Sequence, residues 1–221
     1  MISAEAAPQD DLARAASAGN AAALEAIMRA NNRLLYRTAR SILKDDHEAE
    51  DVVQETYLKA MDAMKSFRGE AKLSTWLVRI AVNEALMRLR QRARRPQSSE
   101  TVVDLEDHLA RHAEAREDTP EDLAMRGEVR HAIERRIDAL PDAFRTVFVL
   151  RALEELPVEE VAATLDIPAA TVRTRFLRAR RLLQSSLTRD VGRASQDAFS
   201  FDGERCDRIV HAVLQKLSLI P

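Results

Sequence analysis

Two prolines in "LPVEEVAATLDIPAATVRTRFLRARRLL" set most of what this segment can become. Proline carries no amide hydrogen and has a fixed φ. It is therefore tolerated in the first turn of a helix and excluded from a strand interior. Pro157 accordingly starts a short helix through Leu165, Asp166–Ile167 is a tight break, and Pro168 starts a longer helix. Short helix, short turn, basic helix is the helix-turn-helix pattern.

On a wheel of the second helix, Val172, Phe176, Ala179 and Leu183 stack at helical intervals and must face a core. Opposite them lie Ala170, Thr174, Leu177 and Arg181, flanked by Arg173 and Arg178, with Thr171 in the first turn. Small and polar residues near the start, with arginines one to two turns in, suit a DNA major groove. Arginine bridges guanine O6 and N7 or clamps phosphate, and threonine hydrogen-bonds or meets a thymine methyl. The competing reading is a solvated face without a partner. Such faces usually alternate signs for i,i+4 pairing, and acids are missing here.

Bulk charge does not announce this. The 221 residues carry a formal net charge of -2, so the distribution of charge, not its sum, points to nucleic acid. With 46% hydrophobic residues and only 5 glycines, the chain reads as mostly helical. The single cysteine, Cys206, has no internal partner for a disulfide. The N-terminal residues do not have the form of an export signal, and nowhere do 18 apolar residues run together. The expectation is a cytoplasmic, all-α protein without membrane insertion.

The composition shifts along the chain. Residues 1–95 are helical from about Ala21 onward. Residues 96–122 begin with Pro and Ser and turn acidic: from Glu100 to Asp122, nine acids stand against two arginines. That suits a mobile tether, with a short helix near Val103–Arg116. Residues 123–187 form a second helical block, with helices over Leu123–Ala139 and Asp142–Leu153. Residues 188–221 are an extension ending in another amphipathic stretch.

In the first block, Ala49, Val52, Val53, Tyr57, Ala60, Met61 and Met64 make one apolar stripe, and Asp45 or Asp46 caps its start. The other face carries Glu48, Asp51, Glu55 and Asp62. After "FRGEAK", Ser74 or Thr75 is expected to cap a third helix. Its buried side comprises Leu73, Trp76, Leu77, Ile80 and Met87, and Arg79, Asn83 and Arg90 share another side.

Three stretches, "DHEAEDVVQETYLKAM", "FRGEAKLSTWLVRIAVNEALMRLRQRARR" and "LPDAFRTVFVLRALEELPVEEVAATLDIPAATVRTRFLRARRLL", resemble conserved regions 2.2, 2.3–2.4 and 4 of the extracytoplasmic-function (ECF) sigma factors of bacterial RNA polymerase. The resemblance spans about Ala21–Leu187. It implies two small helical domains joined by the acidic linker, the second holding the helix-turn-helix. It also implies two partners, core RNA polymerase and promoter DNA, with an anti-sigma factor as a third. Asp51, Gln54 and Glu55 match the core-docking positions. Phe67, Arg68, Arg79, Asn83 and Arg90 match the part that melts the −10 element and captures a flipped base. Arg151, Thr171, Arg173, Thr174, Leu177 and Arg178 match −35 recognition. Trp76 is read as core, not as a stacking platform, and Arg90, Arg92, Arg94 and Arg95 as phosphate contacts.

The family's usual short chain ends soon after region 4. The extension here, with Ile209, Val210, Val213, Leu214 and Leu217 on one face, is expected to pack back on region 4; binding another protein is the alternative. Cys206 with His211, and His108 with His112, are too sparse for a metal site. No cofactor or small-molecule substrate is expected, since no phosphate-cradling loop, metal cluster or nucleophile elbow is present. The remaining alternative function is a stand-alone helix-turn-helix regulator.

Overall fold

The computed structural model describes residues 6–64, 67, 71–94, 130–184, 201 and 203–219. The described residues form α-helices and the turns between them. In chain order these are α1 (Ala6–Ser17), α2 (Ala21–Leu43), α3 (Asp46–Ala63), α4 (Leu73–Arg94), α5 (residues 130–138), α6 (Asp142–Phe148), α7 (Val158–Leu165), α8 (Ala169–Gln184) and α9 (Gly203–Lys216). The expected all-α class is what the chain adopts. No described helix is long and apolar enough to cross a membrane.

Local chemistry places the boundaries. Gly19 sits at φ 87, the left-handed conformation that lets the chain reverse between α1 and α2. Asn20 then caps α2 by accepting from the Ala23 amide at 3.1 Å. Asp45 rather than Asp46 caps α3, its Oδ1 accepting from the Glu48 amide at 2.8 Å. Asp46 and Glu48 lie in the first turn, where the helix dipole favours them. The expected Ser74 or Thr75 cap is not used: α4 already begins at Leu73, and both residues lie inside its first turn.

The long helix α2 is the spine. It packs against α1, α3, α4, α6 and α9. The α3 stripe is buried as expected at Ala49, Val52, Val53, Tyr57, Ala60 and Met64. On α4 the buried side runs through Leu73, Leu77, Val78, Ala81, Val82 and Ala85, and Met87 is exposed instead of buried. The buried side is rotated from the expected one, so Trp76 and Ile80 are half-buried at its edge and Met87 falls on the side of Arg79, Asn83 and Arg90.

The C-terminal elements lie directly on this bundle. Arg145 of α6 is fully buried and binds the backbone of α2 at the Ser41 carbonyl. It also donates to the carbonyls of Asp138 (3.1 Å) and Leu140 (2.9 Å) and to the Asp142 carboxylate (2.8 Å). A buried guanidinium is tolerable because its donors meet acceptors. Arg40 of α2 grips Asp138 at 2.9 and 3.1 Å, and the Ser41 hydroxyl donates to Thr146 at 3.2 Å. The stretch expected as one helix over Asp142–Leu153 changes to a wider π-helical turn at Val149–Leu153.

Candidate nucleic-acid and polymerase interfaces

The helix-turn-helix is α7, a turn, and α8. Both prolines stand one residue ahead of their helices, at Pro157 and Pro168. Asp166 takes the left-handed conformation at φ 52, and the Ile167 amide bonds back to the Ala162 carbonyl at 3.1 Å, closing the α7 end. Val172, Ala179 and Leu183 of α8 are buried, and Phe176 packs partly against both the main core and a smaller one formed by Val147, Leu150, Val161 and Val172.

The other side of α8 faces solvent. Ala170, Arg173, Thr174, Leu177, Arg178 and Arg181 are exposed there, and Thr171 is half-buried. Leu177 is 49% exposed and Leu182 46%, so apolar surface stands among the arginines. Thr171, Thr174, Arg175 and Arg178 line a shallow groove together with Phe144 and Ala170. Arg173 meets Glu159 of α7 at 3.1 Å, an exposed contact worth little and easily exchanged for phosphate. The Thr174 hydroxyl donates to the Ala170 carbonyl at 2.9 Å, leaving its oxygen lone pairs outward. Arg151 is placed differently from this set. It is half-buried, bonds the Leu156 carbonyl and lies over the Phe176 ring at 5.5 Å, which braces the turn.

On α4, Arg79, Asn83 and Arg90 are all exposed on one side, with Met87 between them. Phe67 is half-buried with its ring 5.1 Å from Trp76, and both pack on the core, as read for Trp76. Arg92 is exposed and reaches Glu48 at 3.2 Å. Arg68, Arg95, the linker with His108 and His112, and residues 123–129 and 188–200 lie outside the described residues.

On α3, Asp51 is exposed with Arg88 at 3.5 Å, Glu55 is half-buried with Lys59 at 3.9 Å, and Gln54 accepts from Lys216 of α9 at 3.3 Å. The last contact corrects the expectation for the extension. Helix α9 packs in cis, but on α2 and α3 instead of on the helix-turn-helix. Ion pairs line this seat: Arg205 and Arg208 both reach Glu50 at 3.0 Å, and Arg205 also reaches Asp46 at 3.5 Å. Arg205 further lies over the Tyr36 ring at 4.3 Å. Apolar periodicity showed that α9 would pack; only its basic residues opposite the acids of α3 could have shown where.

Two family models match in the order of these elements: Sigma-70 region 2 over residues 27–95 and Sigma-70 region 4 over residues 130–183. The RNA polymerase sigma-H factor of Pseudomonas aeruginosa is 39% identical over 144 residues, which are 65% of this chain and 75% of that protein. The chain belongs to the ECF sigma-factor family. The ECF RNA polymerase sigma-E factor of Salmonella typhimurium is 41% identical over 138 residues, 62% of this chain and 72% of that one. Among solved structures, CnrH in complex with the cytosolic domain of CnrY aligns with TM-score 0.55 at 26% identity, covering 82% of this chain and 98% of CnrH. The sigma factor RpoE of Bartonella quintana, in complex with the anti-sigma factor NepR, aligns with TM-score 0.53 at 27% identity over 71% and 91% of the two chains. As an ECF sigma factor the chain is no enzyme; it directs RNA polymerase to promoters and thereby starts transcription.

Proposed function

We propose a division of this work among the helices. The carboxylate-rich side of α3, at Asp51, Gln54 and Glu55, docks on core polymerase. The exposed side of α4, with Arg79, Asn83 and Arg90 and with Phe67 and Arg68 ahead of the helix, opens and holds the −10 element. The exposed side of α8, with Thr171, Arg173, Thr174, Leu177 and Arg178, reads the −35 element, and Arg151 supports it from behind. The working parts are residues 1–95, 96–122, 123–187 and 188–221: a region 2 unit, an acidic linker, a region 4 unit and the extension.

The observation that carries this reading is the exposed face of α8. Its buried side is spent on the domain, and a side rich in arginine with no acid of its own is left outward. Phosphate contacts from such arginines fix register, and bidentate contacts to guanine specify sequence. Extruding a −10 base costs a few kcal/mol, offset by a base pocket and by cations along the strand. An anti-sigma factor is the further partner, by likeness to RpoE of Bartonella quintana, which was solved with one.

Run-off transcription with purified core polymerase tests the reading. Core alone should be silent on the cognate promoter, and core with this chain should initiate. Replacing Asp51 and Glu55 by arginine should abolish core binding while leaving helicity unchanged. Retained binding would overturn the docking assignment, and tight duplex binding without initiation would favour a stand-alone regulator.

A further inference from the structure

We propose that α9 and core polymerase compete for Gln54 on α3, so that the extension restrains the sigma factor until polymerase displaces it. The inference rests on the docking assignment for Asp51, Gln54 and Glu55.

Helix α9 lies in the groove between α2 and α3 with Cys206, Ile209, Val210, Val213 and Leu214 buried. Its cations follow the first half of α3. Arg205 reaches Asp46 in the first turn, Arg208 and Arg205 reach Glu50, and Lys216 reaches Gln54. Of the three docking positions Gln54 is the one α9 touches, while Asp51 and Glu55 lie beside this edge and pair with Arg88 and Lys59. Gln54 then has two claimants, the Lys216 ammonium and the incoming partner.

The seat of α9 has two weak points. The outermost contact, Arg29 with Asp207 at 2.8 Å, is an ion pair exposed on both partners, and such pairs hold weakly, whereas Arg205 and Glu50 pair under cover. Beneath the helix, Asn32 is fully buried and donates to the Cys206 sulfur at 3.2 Å, while its Oδ1 has no partner. A buried acceptor without a donor weakens the closed arrangement. Competition reduces the apparent affinity for polymerase by the fraction of chains in which α9 is displaced.

Cys206, the only cysteine in the sequence, reports on this seat directly. Ending the chain at residue 200 is the obvious variant, but it strips Phe201 and Arg205 from the Tyr36 ring and removes the buried apolar face of α9, so a loss of fold would confuse its result. The decisive measurement therefore uses the intact chain. Alkylation of Cys206 by iodoacetamide is followed by peptide mass, alone and with saturating core polymerase. The expected result is slow labelling of the free chain and labelling at least about tenfold faster in the complex, as burial is lost. Equally slow labelling in the complex would show α9 still seated and would overturn the proposal. The Asp51→Arg, Glu55→Arg variant is run beside it. If that variant still binds core, the docking assignment fails, whatever Cys206 does. If it does not bind and Cys206 stays protected in the wild-type complex, the competition alone fails.

Discussion

Arg37 of α2 and Glu154, just after the π-helical turn, form a 2.7 Å ion pair whose side chains are only 7% and 4% exposed. The pair joins the segment matched to region 2 to the segment matched to region 4 inside the protein. Removing one partner of such a pair strands the other charge, whereas removing both is often neutral.

Glu154→Ala should therefore destabilise the chain by about 3–5 kcal/mol. Replacing Arg37 by Met and Glu154 by Leu together should cost much less. Urea unfolding followed by helical circular dichroism measures both. Equal losses in the single and double variants would show that the pair does not act as a unit.

The start of α3 should respond to acid through Asp46. Burial disfavours its charge, but Arg40 at 2.6 Å and Arg205 at 3.5 Å outweigh that effect and hold its carboxyl below the usual value of 3.8. The folded state thus binds this proton less readily than the unfolded chain. Its stabilisation is complete above pH 3.8 and is lost as pH falls below that through the lower folded value. Asp46→Asn should cost about 1 kcal/mol at pH 7, after screening at a partly exposed carboxylate, and should flatten the acid limb. Unfolding midpoints from pH 6 downward, compared with wild type, check this.

Capping makes a smaller, separable contribution. Asp45→Ala removes the acceptor for the Glu48 amide and should cost about 1 kcal/mol in thermal or urea unfolding. The exposed side of α3 is untouched by this change, so core affinity per folded molecule should stay the same.

At the −35 side, Arg178→Ala should weaken binding to the cognate promoter by about 1–3 kcal/mol and relax preference at one base pair. Arg181→Ala, further along the same exposed side, should weaken binding to all sequences evenly and lower the salt dependence by about one unit. Fluorescence anisotropy on cognate and scrambled duplexes at several salt concentrations separates the two behaviours. Unchanged affinity for Arg178→Ala would remove that residue from the site.

Most of the fold was legible because its signals are local. The prolines of the helix-turn-helix, the α3 stripe and the buried side of α8 each follow from helical period and turn chemistry. What was not legible depends on contacts distant in the chain. Nothing near Arg145 or Arg37 tells that their charges are buried, since their acceptors at Ser41 and Glu154 are brought up by the packing of α2 on α6. Met87 was misplaced for a related reason. The contacts of α4 bury the side through Leu77, Ala81 and Ala85, so Met87 is left in solvent although Leu89 beyond it still packs on the core.

On the proposed reading of α8, Leu177, half-exposed among arginines, gives DNA binding two components with different responses to solution conditions. Ions displaced from phosphate make the arginine part fade as salt rises. Water released from leucine is indifferent to dilute salt but leaves a negative heat-capacity change. A residual grip on DNA at high ionic strength, with a binding enthalpy that grows more exothermic on warming, is the calorimetric mark of such apolar surface.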